Sequence, residues 1–166
     1  KKSNFIKQNF PGINFACSAQ DIFVPKSKEV FTNEREVNAM LDLVKQELGE
    51  HWSAYGQAIT TALANENKLL SKLNGYIIDT AGKQLRPVLC LLAAQACGKV
   101  SQMSYECAAV CEIIHTATLL HDDVADNGDM RRGVPTVKAV FSPAASVLTG
   151  DYWLARGMHV LINKQC

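Results

Sequence analysis

Three aspartates crowd the end of one apolar stretch, in the run His121-Asp122-Asp123-Val124-Ala125-Asp126. On a helix Asp122 and Asp126 are four residues apart and share a face. Carboxylates packed this closely repel one another and call for cations. Oxygen-only ligands suit a hard divalent ion, and Mg2+ typically takes one or two carboxylates together with phosphate oxygens. The chemistry these residues could do is to hold Mg2+ on a diphosphate. Taken alone, the pattern is more often a solvated acidic helix terminus.

The surroundings shift that balance. Arg131-Arg132-Gly133 comes within a few residues, on a stretch able to fold back. Arginine forks match phosphate oxygens in a bidentate way. Upstream, Gly82-Lys83-Gln84-Leu85-Arg86-Pro87 sets two cations at the start of an apolar helix, where backbone N–H groups already favour anions. Each basic pair alone would read as surface charge; an aspartate triad with two such pairs is harder to dismiss. His115 precedes Asp122 by seven residues and projects from the same face, where it could hydrogen-bond a second phosphate or be a satisfied core histidine. Cys107, Cys111 and His115 also align at i, i+4 and i+8, but a packed helix face explains them better than zinc does.

Helices must position these groups. Val37, Met40, Leu41, Val44 and Leu48 recur at three- and four-residue spacing, with Gly49 as a stop. A second helical stretch is predicted from about Trp52 to Thr80, with a break at Ala81-Gly82. A third, about Gln84 to Cys97, is apolar nearly all round and is predicted to be buried. A fourth runs from near Ser104 to about Asp126. A loop comes next, with Asn127, Gly128, Gly133 and Pro135, then helices at roughly Thr136–Phe141 and Ala144–Asn163. No convincing period-two strand stands out. The class is all-α, and a bundle is the natural architecture. Residues 1–32 lack periodicity and read as an extension or loop; residues 33–166 form the helical domain.

The chain has 166 residues, 48% apolar and 20% charged, with a net charge of +1, which is ordinary globular material. That balance argues for neither nucleic acid nor an anionic membrane surface. Its apolar runs are too short to span a bilayer, and no secretory leader comes after Lys1-Lys2. Six cysteines without a CxxC pair point to a reducing, cytoplasmic compartment and no disulfide framework. The first residue is Lys, not Met, which suggests a fragment or a processed chain.

The stretch from Glu112 to Asp126 with Asp129-Met-Arg-Arg-Gly133 after it resembles the first aspartate-rich motif of the polyprenyl synthetase family, the trans-isoprenyl diphosphate synthases. Gly82-Lys-Gln-Leu-Arg-Pro87 resembles that family's GKxxRP motif. Ala144-Ala-Ser-Val-Leu-Thr-Gly-Asp-Tyr152 is similar to the next segment of long-chain, octaprenyl-type bacterial members. The resemblance covers about residues 34–163. It implies an all-helical bundle of the isoprenoid synthase type, truncated here to its N-terminal half, usually a homodimer. Lys83, Arg86 and His115, helped by Arg132, would hold isopentenyl diphosphate. Asp122 and Asp126 would ligate Mg2+ with Asp123 in support, and Arg131 would bind the allylic diphosphate, farnesyl or similar. Ionisation of the allylic C–O bond would lead to attack by the isopentenyl double bond and proton loss. Small Ala117 and Thr118 would form the floor under the growing tail, which implies a long product that Ala117→Phe should shorten.

The family's second aspartate-rich motif and a later lysine do not occur in these 166 residues, so no turnover is expected of the chain alone. Gln84 stands where many members carry a basic residue. A non-catalytic subunit pairing with a full-length synthase is the alternative. A terpene cyclase is disfavoured by the GKxxRP segment and His115, since a cyclase builds no isopentenyl site.

Overall fold

The structure, a computed structural model, describes residues 34–164, and side chains within 36–163. The chain divides into two compact units, Lys1–Val37 and Asn38–Cys166. Of the first, only the opening of one helix is described; the core, the hairpin and the cavity belong to the second. The expected extension over residues 1–32 lies outside the described residues.

The all-α expectation holds. Helix α1 spans Glu34–Leu48 and stops at Gly49, whose φ of 47° only glycine adopts easily. Helix α2 spans Glu50–Leu63 and buries Tyr55, Ile59, Ala62 and Leu63 at helical spacing. The single stretch predicted from Trp52 to Thr80 is in fact two helices. The chain turns at residues 64–67, and Asn67 starts α3 (Lys68–Asp79) by accepting the Leu69 and Leu70 N–H groups on its side chain. Asparagine favours such a cap because its oxygen satisfies donors that have no partner inside the helix. Periodicity hides this break because apolar residues recur on both sides of it.

Helix α4 (Leu85–Ala96) begins after Gln84, which sits in the left-handed region at φ 53°. Helix α5 (Gln102–Ala125) is the longest and runs through the centre. Beyond it a ribbon forms: β1 (Met130–Arg131) pairs antiparallel with β2 (Val134–Pro135), Arg131 opposite Val134. Two-residue strands are too short to leave an alternating signal, so the sequence predicts none. The turn between them is Arg132-Gly133, at φ 53° and 80°, the two left-handed residues of a type I′ hairpin. A short α6 (Val137–Val140) and the long α7 (Pro143–Lys164) complete the described chain.

Helix α5 packs on α2, α4 and most extensively on α7. Glycines permit the close approach to α7. A Cβ at Gly157 would press on the Ile113 side chain at 3.2 Å, and one at Gly150 would lie 2.4 Å from His121 Nε2 and 3.2 Å from the Ala117 carbonyl. Ser146, fully buried, donates its hydroxyl to the Leu120 carbonyl at 2.8 Å. A second tie closes the end of α2. Buried Trp153 donates Nε1–H to Asn74 Oδ1 at 2.8 Å, Asn74 Nδ2 donates to the Leu63 carbonyl at 3.0 Å, and Tyr152 donates to the same carbonyl at 3.1 Å. Arg156 serves the Ala62 carbonyl beside it. Terminal helix carbonyls otherwise left without partners are thus satisfied by side chains from α3 and α7.

One burial expectation fails. Helix α4 is not buried all round: Pro87, Val88 and Leu91 face the core, while Leu85, Leu89 (63% exposed) and Leu92 face outward. Among the described residues α4 packs mainly on α5 and α2, which cover one of its sides. Helix α7 likewise exposes Leu148, Met158 and Ile162, the last 73% exposed.

Candidate functional site

The C-terminal half of α5 divides its polar residues between two faces. Asp122 and Asp126 are exposed, one turn apart. Asp123 turns inward, is only 7% exposed, and receives both Nε–H and Nη2–H of Arg131 on one carboxylate oxygen, at 2.9 and 2.8 Å. The hairpin bends back over the helix end to make this pair. Asn127 in the left-handed region and the Gly128 N–H on the Asp123 carbonyl, at 2.9 Å, start the reversal. Lys138 then bonds Asn127 and Asp129 at 2.6 and 2.8 Å, and Tyr76 of α3 donates to the Pro135 carbonyl at 2.6 Å.

Arg132, at the tip of this hairpin, reaches the Gly82 loop. A Cβ at Gly82 would lie 1.5 Å from Arg132 Nη1 and 2.7 Å from its Cζ, so the guanidinium occupies the space a side chain there would need. The two basic segments, about fifty residues apart in sequence, therefore meet at one place. Arg132 holds an αL backbone that a β-carbon disfavours, a local strain of the kind found where a side chain must be aimed.

A cavity of about 100 Å3 lies between these parts. Glu112, His115, Asp123, Arg131, Arg132 and Gly82 supply its polar wall, with Tyr76, Ile77 and Leu119 among the apolar residues opposite. That volume suits a phosphate-sized group or a few waters, not a prenyl chain. Burial first, and then the Arg86, Arg132 and Arg131 guanidiniums, hold the His115 imidazole below its ordinary pKa, against a smaller opposing pull from Asp122. His115 is thus a neutral hydrogen-bonding group among cations. Arg86 is exposed at the first turn of α4 yet close enough to act on both His115 and Glu112. Lys83 precedes it, partly buried, on the loop that carries Gly82.

The structure thus gathers His115, Arg131 and Arg132 with Asp123 around one cavity, with Arg86 near enough to act on His115, Asp122 on the neighbouring face of the same helix end and Asp126 one turn on. The two chain-length residues do not line it. Ala117 is 1% exposed and packs where α5 crosses α7; Thr118 is exposed and donates its hydroxyl to the His115 carbonyl at 2.7 Å. Gln84 donates its amide to the buried Tyr55 hydroxyl at 3.4 Å. Among the described residues no three His, Cys, Asp or Glu side chains converge to hold a metal ion. The same finding limits the aspartates. With Asp123 committed to Arg131, two exposed carboxylates remain, a set that fits Mg2+ only if phosphate oxygens complete its shell. Of the described cysteines, Cys97 and Cys111 are exposed and Cys90 and Cys107 half-buried.

Sequence reasoning passed over Glu112. It is 8% exposed on the cavity wall, with Oε2 lacking any hydrogen-bond partner. Burial raises its pKa, and Arg86, Arg132 and Lys45 pull it back in part. The signal was present: Glu112, Thr116, Leu119 and Asp123 share one stripe of α5, and a carboxylate inside so apolar a helix called for an explanation.

The sequence model of the family described as "Polyprenyl synthetase" matches residues 67–166. The octaprenyl diphosphate synthase of Escherichia coli (strain K12) is 40% identical over 123 residues, 74% of this chain and 38% of the relative. The all-trans-nonaprenyl-diphosphate synthase (geranyl-diphosphate specific) of Rhodobacter capsulatus is 36% identical over 70% of this chain and 36% of its own length. Among solved structures, a decaprenyl diphosphate synthase from Rhodobacter capsulatus superposes with a TM-score of 0.71 at 36% identity, covering 76% of this chain and 39% of that one. A polyprenyl synthase from Caulobacter crescentus CB15, complexed with calcium and isoprenyl diphosphate, gives 0.70 at 31% identity, covering 76% of this chain and 38% of that one. The chain spans less than two fifths of the length of these relatives.

Proposed function

This chain belongs to the polyprenyl synthetase family, and from that premise we propose that it is the diphosphate-gripping part of a Mg2+-dependent trans-polyprenyl diphosphate synthase. The observation that carries the reading is the contact of the Arg132 guanidinium with the Gly82 backbone, which joins both basic segments beside His115 and the aspartate-bearing end of α5. Lys83, Arg86, Arg132 and neutral His115 hold the diphosphate of isopentenyl diphosphate. Arg131, seated on Asp123, presents its remaining N–H groups to the allylic diphosphate. Asp122 and Asp126 hold Mg2+, which when bound supplies positive charge to the departing diphosphate. Guanidiniums fixed before the substrate arrives need no reorganisation as negative charge develops on the leaving oxygens. Thr118, small and exposed one turn before Asp122, leaves room along α5 for a growing tail, which favours a long product.

Activity belongs to the longer assembly. The resemblance calls for a second aspartate-rich motif that these residues lack, so radiolabelled isopentenyl diphosphate with Mg2+ and farnesyl diphosphate should give no product on this chain. Binding should persist: calorimetry with isopentenyl diphosphate should show a site that Arg132→Ala weakens. An unchanged affinity in that variant would sink the reading. The exposed leucines of α4 and α7 favour a second reading, a non-catalytic subunit of a full-length synthase. Addition of a purified full-length synthase separates the two, since only a subunit would raise that enzyme's turnover. A reducing cytoplasm is the compartment proposed for it, and among the described residues no helix is long and apolar enough to cross a membrane.

A further inference from the structure

The unexplained group in the site is Glu112. A carboxyl on the wall of a polar cavity, 8% exposed and with an oxygen that no donor serves, is an expensive thing to keep for structure alone. Its setting is specific. The charged and titratable groups facing it come from every side: Lys45 of α1, the buried Tyr55 hydroxyl of α2, Arg86 of α4 and Arg132 of the hairpin, with His115 one turn along its own helix. Two of these, Arg86 and Arg132, are the cations assigned above to the diphosphate.

We propose that Glu112 is a proton-exchanging wall of the anion site: its carboxylate offsets the charge of the nearby Arg86 and Arg132 guanidiniums while the site is empty, and it takes up one proton from solvent when a diphosphate takes those guanidiniums as its own partners. The inference rests on the diphosphate reading of this site. The physical reason is electrostatic. An empty pocket with several cations and no anion would repel its own side chains, and a buried carboxylate relieves that repulsion. When a diphosphate arrives, the same carboxylate becomes a like charge in a site of low dielectric. Neutralising it by a proton costs less than leaving two anions facing each other. The desolvation that already disfavours the charged form of Glu112 prepares it for that step, and two of the cations that oppose the desolvation, Arg86 and Arg132, are those the ligand would share. The proton balance is simple. One proton moves from water to a Glu112 carboxylate oxygen per diphosphate bound, and it returns on release.

Inorganic pyrophosphate with Mg2+ is the probe. Calorimetric titrations near pH 7, in buffers of different ionisation enthalpy, count protons exchanged on binding for the wild-type chain and for Glu112→Gln. Ionisation of pyrophosphate itself is common to both and cancels in the difference. The expected result is that the wild type takes up close to one proton more than the variant, and that its affinity weakens with rising pH by up to about tenfold per unit more steeply than the variant's. Equal proton counts and parallel pH profiles would overturn the proposal. Because Glu112→Gln could disturb folding, infrared difference spectra of the wild type alone provide a second measurement. Pyrophosphate should bring out a new protonated-carboxyl band, and its absence would also overturn the proposal. If the wild type binds no pyrophosphate at all, the diphosphate reading itself fails, an outcome distinct from binding without proton uptake.

Discussion

Replacing Gly82 with alanine separates the role of the site from the stability of the fold. The residue does not use a positive φ, so alanine fits its backbone and removes some freedom from the unfolded chain, worth roughly 0.4–1 kcal/mol in favour of folding. Against this, the new Cβ would stand 1.5 Å from Arg132 Nη1. The guanidinium is the far end of a flexible side chain and must retreat by about 2 Å to reach ordinary van der Waals separation. That retreat is cheap for the fold, and the net change in unfolding free energy should stay within about 1 kcal/mol. For the site it is not cheap. Arg132 moves off the place where it can share a diphosphate with Arg86 and His115, and loss of one hydrogen bond to a charged group is worth about 1.5–3 kcal/mol. Pyrophosphate or isopentenyl diphosphate should bind roughly 10- to 140-fold more weakly by calorimetry, with a nearly unchanged urea midpoint. The double variant with Arg132→Ala should bind no worse than Arg132→Ala alone, since both remove one contact. Unchanged affinity, or stability and affinity falling in parallel, would refute the reasoning.

The same geometry sets the outcome of four other perturbations. Asp123→Asn keeps the shape but removes the charge that seats Arg131, and urea unfolding should show a loss of roughly 1–2 kcal/mol, because Arg131 is partly solvated. Asn74→Leu strands the Trp153 Nε1–H and one Leu63 carbonyl contact in the core, and should lower stability by roughly 2–4 kcal/mol with a visible fall in Tm. The His115 ring should titrate below 6.5 by NMR. Since the unfolded chain protonates first, stability contributed at this position is full above 6.5 and is lost as pH falls from there toward the folded-state value; His115→Gln should flatten that part of the pH profile. Chelation of Mg2+ should weaken pyrophosphate binding in the wild type and hardly at all in the Asp122→Asn, Asp126→Asn double variant.

Much of this could be read from residue types in a row. Helical spacing in Val44 and Leu48, the Gly49 stop and the long apolar run before Asp122 determined an all-α chain, and the ordered segments Gly82–Pro87, Asp122–Asp126 and Arg131–Gly133 determined its family. Local periodicity reports which face of a helix is apolar, because that depends only on neighbours three and four residues away. It could not report what lies against that face. The outward turn of Leu89 and the hidden Glu112 depend on contacts between distant segments, while the break at Asn67 and the Asp123–Arg131 pair are made by side-chain bonds over a few residues, which periodicity does not weigh. Only the folded chain decided that the Arg132 guanidinium would rest on Gly82, since that contact is set by a hairpin turn, a helix crossing and a missing β-carbon together, and none of the three implies the others.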